Sequence, residues 1–230
     1  MPGESNLDSF VTLTERIGDL AFYRLREETG VFSVQAPDGD YEPILDVTYG
    51  PLQNNVVEWL HIGFILSTLK ADGTYEHAGG DGSPAYREYF AAYSLANILS
   101  TYGKPDAVLL GGDALSEPGY PFMYVLSLYY IEKGFYVEYM GGMGGEPNFV
   151  ICPMRNEDIR LLLWEPVKYH TLEELDASSL PIGLIEGGLN TLEQRTDLTL
   201  DQFYETFKLA EEDTCLESPR ENWPWPWPLP

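Results

Sequence analysis

Basic side chains are scarce: 13 Lys and Arg stand against 37 Asp and Glu, a formal net charge of -24. Nucleic-acid binding draws its affinity largely from neutralised phosphates, so this field has the wrong sign for it. Anionic membrane surfaces are disfavoured for the same reason. The acid serves solubility, or it meets a basic partner, bound cations or a saline setting. Histidine and cysteine are also few, with three and two copies. His61, His77 and His170 show no metal spacing, and Cys152 and Cys215 form no C-x-x-C, so neither a zinc site nor a cofactor is expected. No apolar run reaches the roughly 18 residues that a membrane-spanning helix needs. The start, MPGESNLDSF, lacks the basic and apolar regions of a signal peptide. That leaves a cytoplasmic protein, or an exported one whose signal lies outside this sequence.

Catalytic signatures are missing too. There is no G-x-S-x-G and no H-E-x-x-H. The acids at Asp38-Gly39-Asp40 and Asp72-Gly73 lack the spacing of a calcium loop. GGMGG at 141–145 lacks the G-K-[ST] ending of a phosphate loop and joins strand to strand, so it reads as a flexible connection.

What is present is a core. Hydrophobic content of 44% and aromatic content of 13% exclude general disorder, and 16 tyrosines suit half-buried β surface. The clearest local signal lies in YSLANILSTYGKPDAV at 93–108. Ser94 is an N-cap, and Leu95, Ile98, Leu99 and Tyr102 then share one helical face. Gly103 takes positive φ past the helix end, Pro105 forbids resumption, and residues 107–110 start a buried strand.

Elsewhere, Thr12 and Glu15 have capping-box spacing, and Ile17, Leu20, Ala21 and Leu25 follow on one helical face ending at Gly30. Residues 31–35, 44–49 and 56–69 read as strands, with a turn at Pro37-Asp38-Gly39-Asp40 and a break at Gly50-Pro51. Residues 71–84 read as a loop and the best internal boundary. Residues 122–131 and 135–140 flank the hairpin signal Glu132-Lys133-Gly134, and strands follow at 149–152 and 159–164. Thr171 and Thr199 open two further helices, the second with Leu200, Phe203, Tyr204 and Phe207 on one face. Residues 171–222 hold 13 acids and 3 bases. The closing WPWPWPLP forbids helix and central strand. Its loss is expected to leave the fold intact.

The fold class is therefore α+β: an antiparallel meander sheet packed against a few helices. Residues 1–70 and 85–222 each read as a helix-plus-strands unit, the second with a C-terminal helix, followed by a Trp/Pro tail at 223–230. Two tandem repeats or one continuous domain both fit this pattern. Cys152 ends a strand and Cys215 follows the last helix. Under export they form a disulfide closing a loop of about 64 residues, worth about 4 kcal/mol. In a reducing cytosol they are two buried thiols.

The segment LANILSTYGKPDAV resembles the helix-stop turn of the small-protein-A/outer-membrane-assembly lipoproteins and of the β-lactamase-inhibitory-protein-like repeats. The match rests on Leu95, Leu99, Tyr102, Gly103, Pro105, Asp106 and Val108. Residues 93–164 also resemble uncharacterised bacterial lipoproteins, with a Tyr-rich hairpin and a strand ending in Trp164-Glu165-Pro166. The Cys-Leu-Glu-Ser-Pro at 215–219 resembles the close of such chains. The resemblance implies an α+β two-layer fold, a secreted or cell-envelope location, and a binding or assembly role without catalysis. The partner would be a protein or a cell-envelope component. No functional residue carries over. A rival reading is a hydrolase acting on carbohydrate through a carboxylate pair, with Trp59, Trp164, Trp223, Trp225 and Trp227 as stacking platforms. A third is an acidic intracellular interaction protein.

Overall fold

The computed structural model describes residues 19–25, 30–35, 41–53, 56–77, 83–113, 122–156, 158–178, 180 and 189–223. Twelve strands form one sheet in which every pairing is antiparallel. They are β1 Asp19–Leu25, β2 Gly30–Gln35, β3 Tyr41–Gln53, β4 Val56–Leu69, β5 Tyr75–His77, β6 Ala107–Asp113, β7 Phe122–Tyr130, β8 Phe135–Gly144, β9 Asn148–Ile151, β10 Asp158–Trp164, β11 Asn190–Thr191 and β12 Leu216–Pro219. The main path runs β1-β2-β3-β4-β10-β8-β7-β6-β11, with β5 on β4 and β12 on β9, which borders β8. Because β10 lies between β4 and β8, the parts before and after residues 71–84 share one sheet.

Among the described residues five α-helices accompany it: α1 Pro84–Tyr89, α2 Leu95–Tyr102, α3 Leu172–Asp176, α4 Leu192–Arg195 and α5 Leu200–Phe207. The Ser94 side chain accepts from the Asn97 amide and opens α2. Leu95, Ile98 and Leu99 are buried, while Tyr102 stays 43% exposed, its ring edge on Phe135 at 4.8 Å between centroids. Phe203 and Phe207 of α5 join the same core against Phe64, Leu126, Leu128 and Val137. Tyr86 of α1 stitches helix to sheet, since its hydroxyl donates to the Phe64 carbonyl (3.1 Å) and accepts from the Ile159 amide (3.0 Å). This is the first face of the sheet. On the second face Trp59, Tyr129, Tyr136, Leu162 and Trp164 pack with Leu175 of α3. Covered on both faces, β7 is buried from Tyr124 to Tyr130. A strand in that position reads as a near-continuous apolar run, and FMYVLSLYY does so except at Ser127.

Four expectations are corrected. The helix placed over Leu20, Ala21 and Leu25 is a strand there, because β2 pairs along the whole of β1; Thr12, Glu15 and Ile17 lie outside the described residues. The apolar residues of DLAFYRL fall at both odd and even positions, so periodicity alone does not decide, and the partner strand does. Among the described residues of 1–70 there is no helix, so the tandem helix-plus-sheet repeat is not shown. Gly50-Pro51 does not end β3. β2 stops opposite Tyr49, so Pro51 withholds no donor from that side of the ladder. GGMGG is not a free connection. β8 runs to Gly144, and Gly141 gives Tyr124 its place, since a Cβ there would stand 2.9 Å from the ring. Finally, Trp223 is not a free tail residue but packs into the core. It is 4% exposed, its indole N–H donates to Ser218 Oγ at 2.7 Å, and the Arg195 guanidinium lies over it at 4.7 Å. Residues 224–230 lie outside the described residues.

Candidate functional site

On the second face, beyond the Trp59–Trp164 cluster, one row of positions crosses six strands in register. Ser33 of β2 faces Asp46 of β3, which faces Gly63 of β4. Gly63 faces Arg160 of β10, which faces Glu138 of β8, which faces Ser127 of β7. Strand alternation sends all of these side chains to the same side. Each interrupts an apolar strand: Glu138 in FYVEYM, Ser127 in VLSLYY, Arg160 in DIRLLLW.

The two ends of the row differ in exposure. Ser127 is fully buried and Glu138 is 5% exposed. Arg160 and Asp158 keep 39% and 33% of their side chains exposed, and Asp46, His61 and Gly63 are half-buried. The Ser33 hydroxyl donates to Asp46 Oδ1. Arg160 Nε donates to Asp158 Oδ2 at 3.0 Å. Glu138 is held more loosely: Ser127 Oγ donates to its Oε2 at 3.4 Å, and Arg160 Nη1 stands 3.8 Å from its Oε1. A carboxylate out of water needs short, charge-assisted bonds to stay ionised, and neither contact is one. Burial accordingly pushes the Glu138 carboxyl up to about 7; Arg160 and Ser127 pull it back, and Asp158 adds to the rise. His61 is shifted the other way, below its ordinary value, by burial first and by Arg160 second. The row therefore offers a proton-exchanging carboxyl near neutral pH beside a half-exposed guanidinium. Gly63, having no side chain, leaves a notch between Asp46 and Arg160.

The residues singled out from sequence lie elsewhere. Gly103 has φ +81 and ψ -162, an extended positive-φ conformation and not the left-handed helical one, and its carbonyl accepts from the Tyr130 hydroxyl at 2.9 Å. Pro105 is buried behind it. Cys152 and Cys215 are a disulfide, with Sγ atoms 2.04 Å apart. They extend the β9–β12 ladder by one step beyond Ile151 opposite Leu216. Trp59 and Trp164 are buried in the core, leaving neither as an open stacking platform; Trp225 and Trp227 lie outside the described residues. His170 is exposed, and its amide donates to Glu174 at 2.8 Å. His77 belongs to β5 opposite Ser67, where a loop was expected. Asp72 accepts from the amide and hydroxyl of Thr74, which lowers its carboxyl and makes it a turn residue.

A cavity of about 190 Å³ lies between Asp106, Leu109, Leu192, Glu193 and Leu200. Its two carboxylates serve the fold: Asp106 accepts from the Ile131 amide at 2.6 Å and Glu193 from the Leu200 amide at 3.2 Å. Sequence reading did not single out Asp46, Ser127, Glu138 or Arg160. The available signal was a lone polar residue inside an apolar strand, which acquires meaning only when neighbouring strands align such residues. Among the described residues, no group of His, Cys, Asp and Glu is arranged to hold a metal ion, and no helix is long and apolar enough to cross a membrane. No family model, curated protein or solved structure matches the chain.

Proposed function

We propose that this chain is a non-catalytic binding or assembly module working outside the cytoplasm, and that its second sheet face docks a protein partner carrying a basic patch. The observation that carries the reading is the half-exposed Asp46, Gly63 and Arg160 of the row, with His61 two residues along β4 on the same face; β4 and β10 pack their opposite face into the main core. A site on paired central strands is rigid, so a partner is met without a large ordering cost. A net charge of -24 and the carboxylates of Asp46 and Asp158 favour a cationic partner. The Cys152–Cys215 disulfide supports an oxidising compartment, as does the likeness of residues 93–164 to envelope lipoproteins. Photo-crosslinking tests the reading. Thr48→benzoylphenylalanine, next to His61 in the ladder, is expected to capture a basic protein. The adduct should fade at high salt and with Asp46→Lys. Leu209→benzoylphenylalanine, at an 81% exposed position following α5, is the control. Equal capture at both positions, or capture only of a cell-envelope polysaccharide, overturns the basic-protein partner.

One observation favours a second reading, a carboxylate-pair hydrolase. Glu138 has a proton to give near pH 7, and Asp158 is its diagonal neighbour across the ladder. Under that reading Glu138→Gln and Asp158→Asn each abolish hydrolysis of a glycan panel while folding is retained. A wild-type protein that cleaves none of the panel removes it.

A further inference from the structure

Arg160 has two carboxylates within reach and bonds only one. Its Nε donates to Asp158 at 3.0 Å, whereas its Nη1 stops 3.8 Å from Glu138. The second gap lies beyond the roughly 3.2 Å reach of an N–H···O hydrogen bond. Glu138 is bracketed from the far side by Ser127, and its contact to that hydroxyl is long at 3.4 Å. The carboxyl thus sits under the guanidinium in a gap that a small side-chain movement would close. We propose that Glu138 and Arg160 form a proton-operated latch on the second face. With Glu138 protonated, Arg160 stays on Asp158 and presents its guanidinium at the surface. With Glu138 ionised, the guanidinium is drawn down onto it and the surface row loses its cation.

The balance is simple. One proton leaves the Glu138 carboxyl to solvent, and a charge-assisted bond to Arg160 forms while the bond to Asp158 lengthens. Physical chemistry favours this coupling. A buried anion with two loose contacts gains more from a short bond than the half-exposed Asp158 loses, because Asp158 has water to replace it.

The groups facing Glu138 among the described residues are few. β7 contributes Ser127 and Tyr129, and β10 contributes Asp158 and Arg160. His61 of β4 feels Arg160, and Asp176 of α3 acts on Tyr129. Tyr129 is pushed upward by burial and by Glu138 itself, so it remains neutral through the relevant range. The carboxyl titrates at about 7, and His61 titrates below its ordinary 6.5. The two events are therefore separable.

The latch deepens the docking reading, since it would regulate the charge that the same face shows a partner; its test uses the protein alone. Nuclear magnetic resonance follows the Glu138 side-chain carboxyl carbon and the Arg160 Nε–H group from pH 5 to 9. Both are expected to move together with one midpoint near pH 7. Glu138→Gln should abolish the Arg160 transition, and His61→Gln should retain it. A Glu138 carboxyl that titrates below pH 5, or an Arg160 transition that survives Glu138→Gln, overturns the latch. If Glu138→Gln fails to fold, the wild-type carboxyl titration and its coincidence with Arg160 decide instead. A titration without an Arg160 response also overturns it. Loss of the latch leaves crosslinking from Thr48 untouched, and a missing partner leaves the titration untouched, so the two failures are told apart.

Discussion

The strands β1–β3 and the strands β6–β8 belong to one ladder but are held by different means. Around β6–β8 the core is continuous. α1, α2 and α5 close the first face, and α3 with Tyr169 and Leu180 closes one end of the second. Around β3 the described residues show one small cluster, Val47, Tyr49, Val57 and Leu60, and Val31 of β2 stays 42% exposed. The long β3–β4 hairpin, in register from Tyr41 opposite Thr68 to Gln53 opposite Val56, does by pairing what the other half does by burial. Net stability therefore concentrates where apolar area is removed from water, since ladder hydrogen bonds largely replace bonds to solvent. The candidate site lies at the seam: Ser33 and Asp46 belong to the thinly covered half, Glu138 and Ser127 to the buried one, and Gly63 of β4 and Arg160 of β10 lie between.

Substitutions grade this contrast. The largest effect is expected at Trp223, which packs on Phe149 with ring centroids 5.6 Å apart and occupies the space beside Gly112. Trp223→Ala should cost about 3–5 kcal/mol in urea unfolding. Truncation after Asn222 should cost as much, and a loss under about 1 kcal/mol would mean that the core near β9 does not depend on this ring.

Next comes Glu138. Its folded-state value is raised from 4.5 to about 7. The stability linked to the neutral carboxyl is therefore complete below about pH 4.5 and is lost as pH rises through about 7. Glu138→Gln should match wild type near pH 5 and exceed it by up to roughly 3 kcal/mol at pH 9. Parallel stability curves across that range would show that the buried carboxyl is already satisfied as an anion.

Gly103→Val follows. A Cβ there meets nothing within 4 Å, so only backbone strain acts, at about 1–3 kcal/mol in a region essentially reserved for glycine. An unchanged melting temperature would mean that the turn after α2 relaxes freely. Thr199→Ala removes one half of a capping box, in which Thr199 accepts from the Gln202 amide at 3.3 Å and Gln202 accepts from the Thr199 amide at 2.8 Å. About 1 kcal/mol is expected, read from the same denaturant midpoint. Smallest of all, Val31→Ala on β2 should stay within about 0.5 kcal/mol. A larger loss would show that the β1–β3 half is buried by more than its own ladder.

Local chemistry was legible in the chain by itself. Ser94, Thr171 and Thr199 cap helices because their hydroxyls satisfy amides a turn away, and Gly103 with Pro105 ends one because backbone sterics allow little else there. Lys133-Gly134 closes the β7–β8 hairpin on the same grounds. These devices act within a few residues, so sequence order is enough to see them. The antiparallel α+β class follows from the same local pieces. Only the tertiary structure decided that Asp19–Leu25 is a strand, since its apolar residues fall at both odd and even positions and fix no period until β2 pairs with it. Only the register of five strands placed Asp46, Arg160, Glu138 and Ser127 in one row. Sequence spacing carries no information about which residue of a distant strand stands opposite. Glu138 titrates near neutrality for a reason of the same kind: burial and a guanidinium held just out of reach are properties of the assembled sheet, not of a glutamate in FYVEYM.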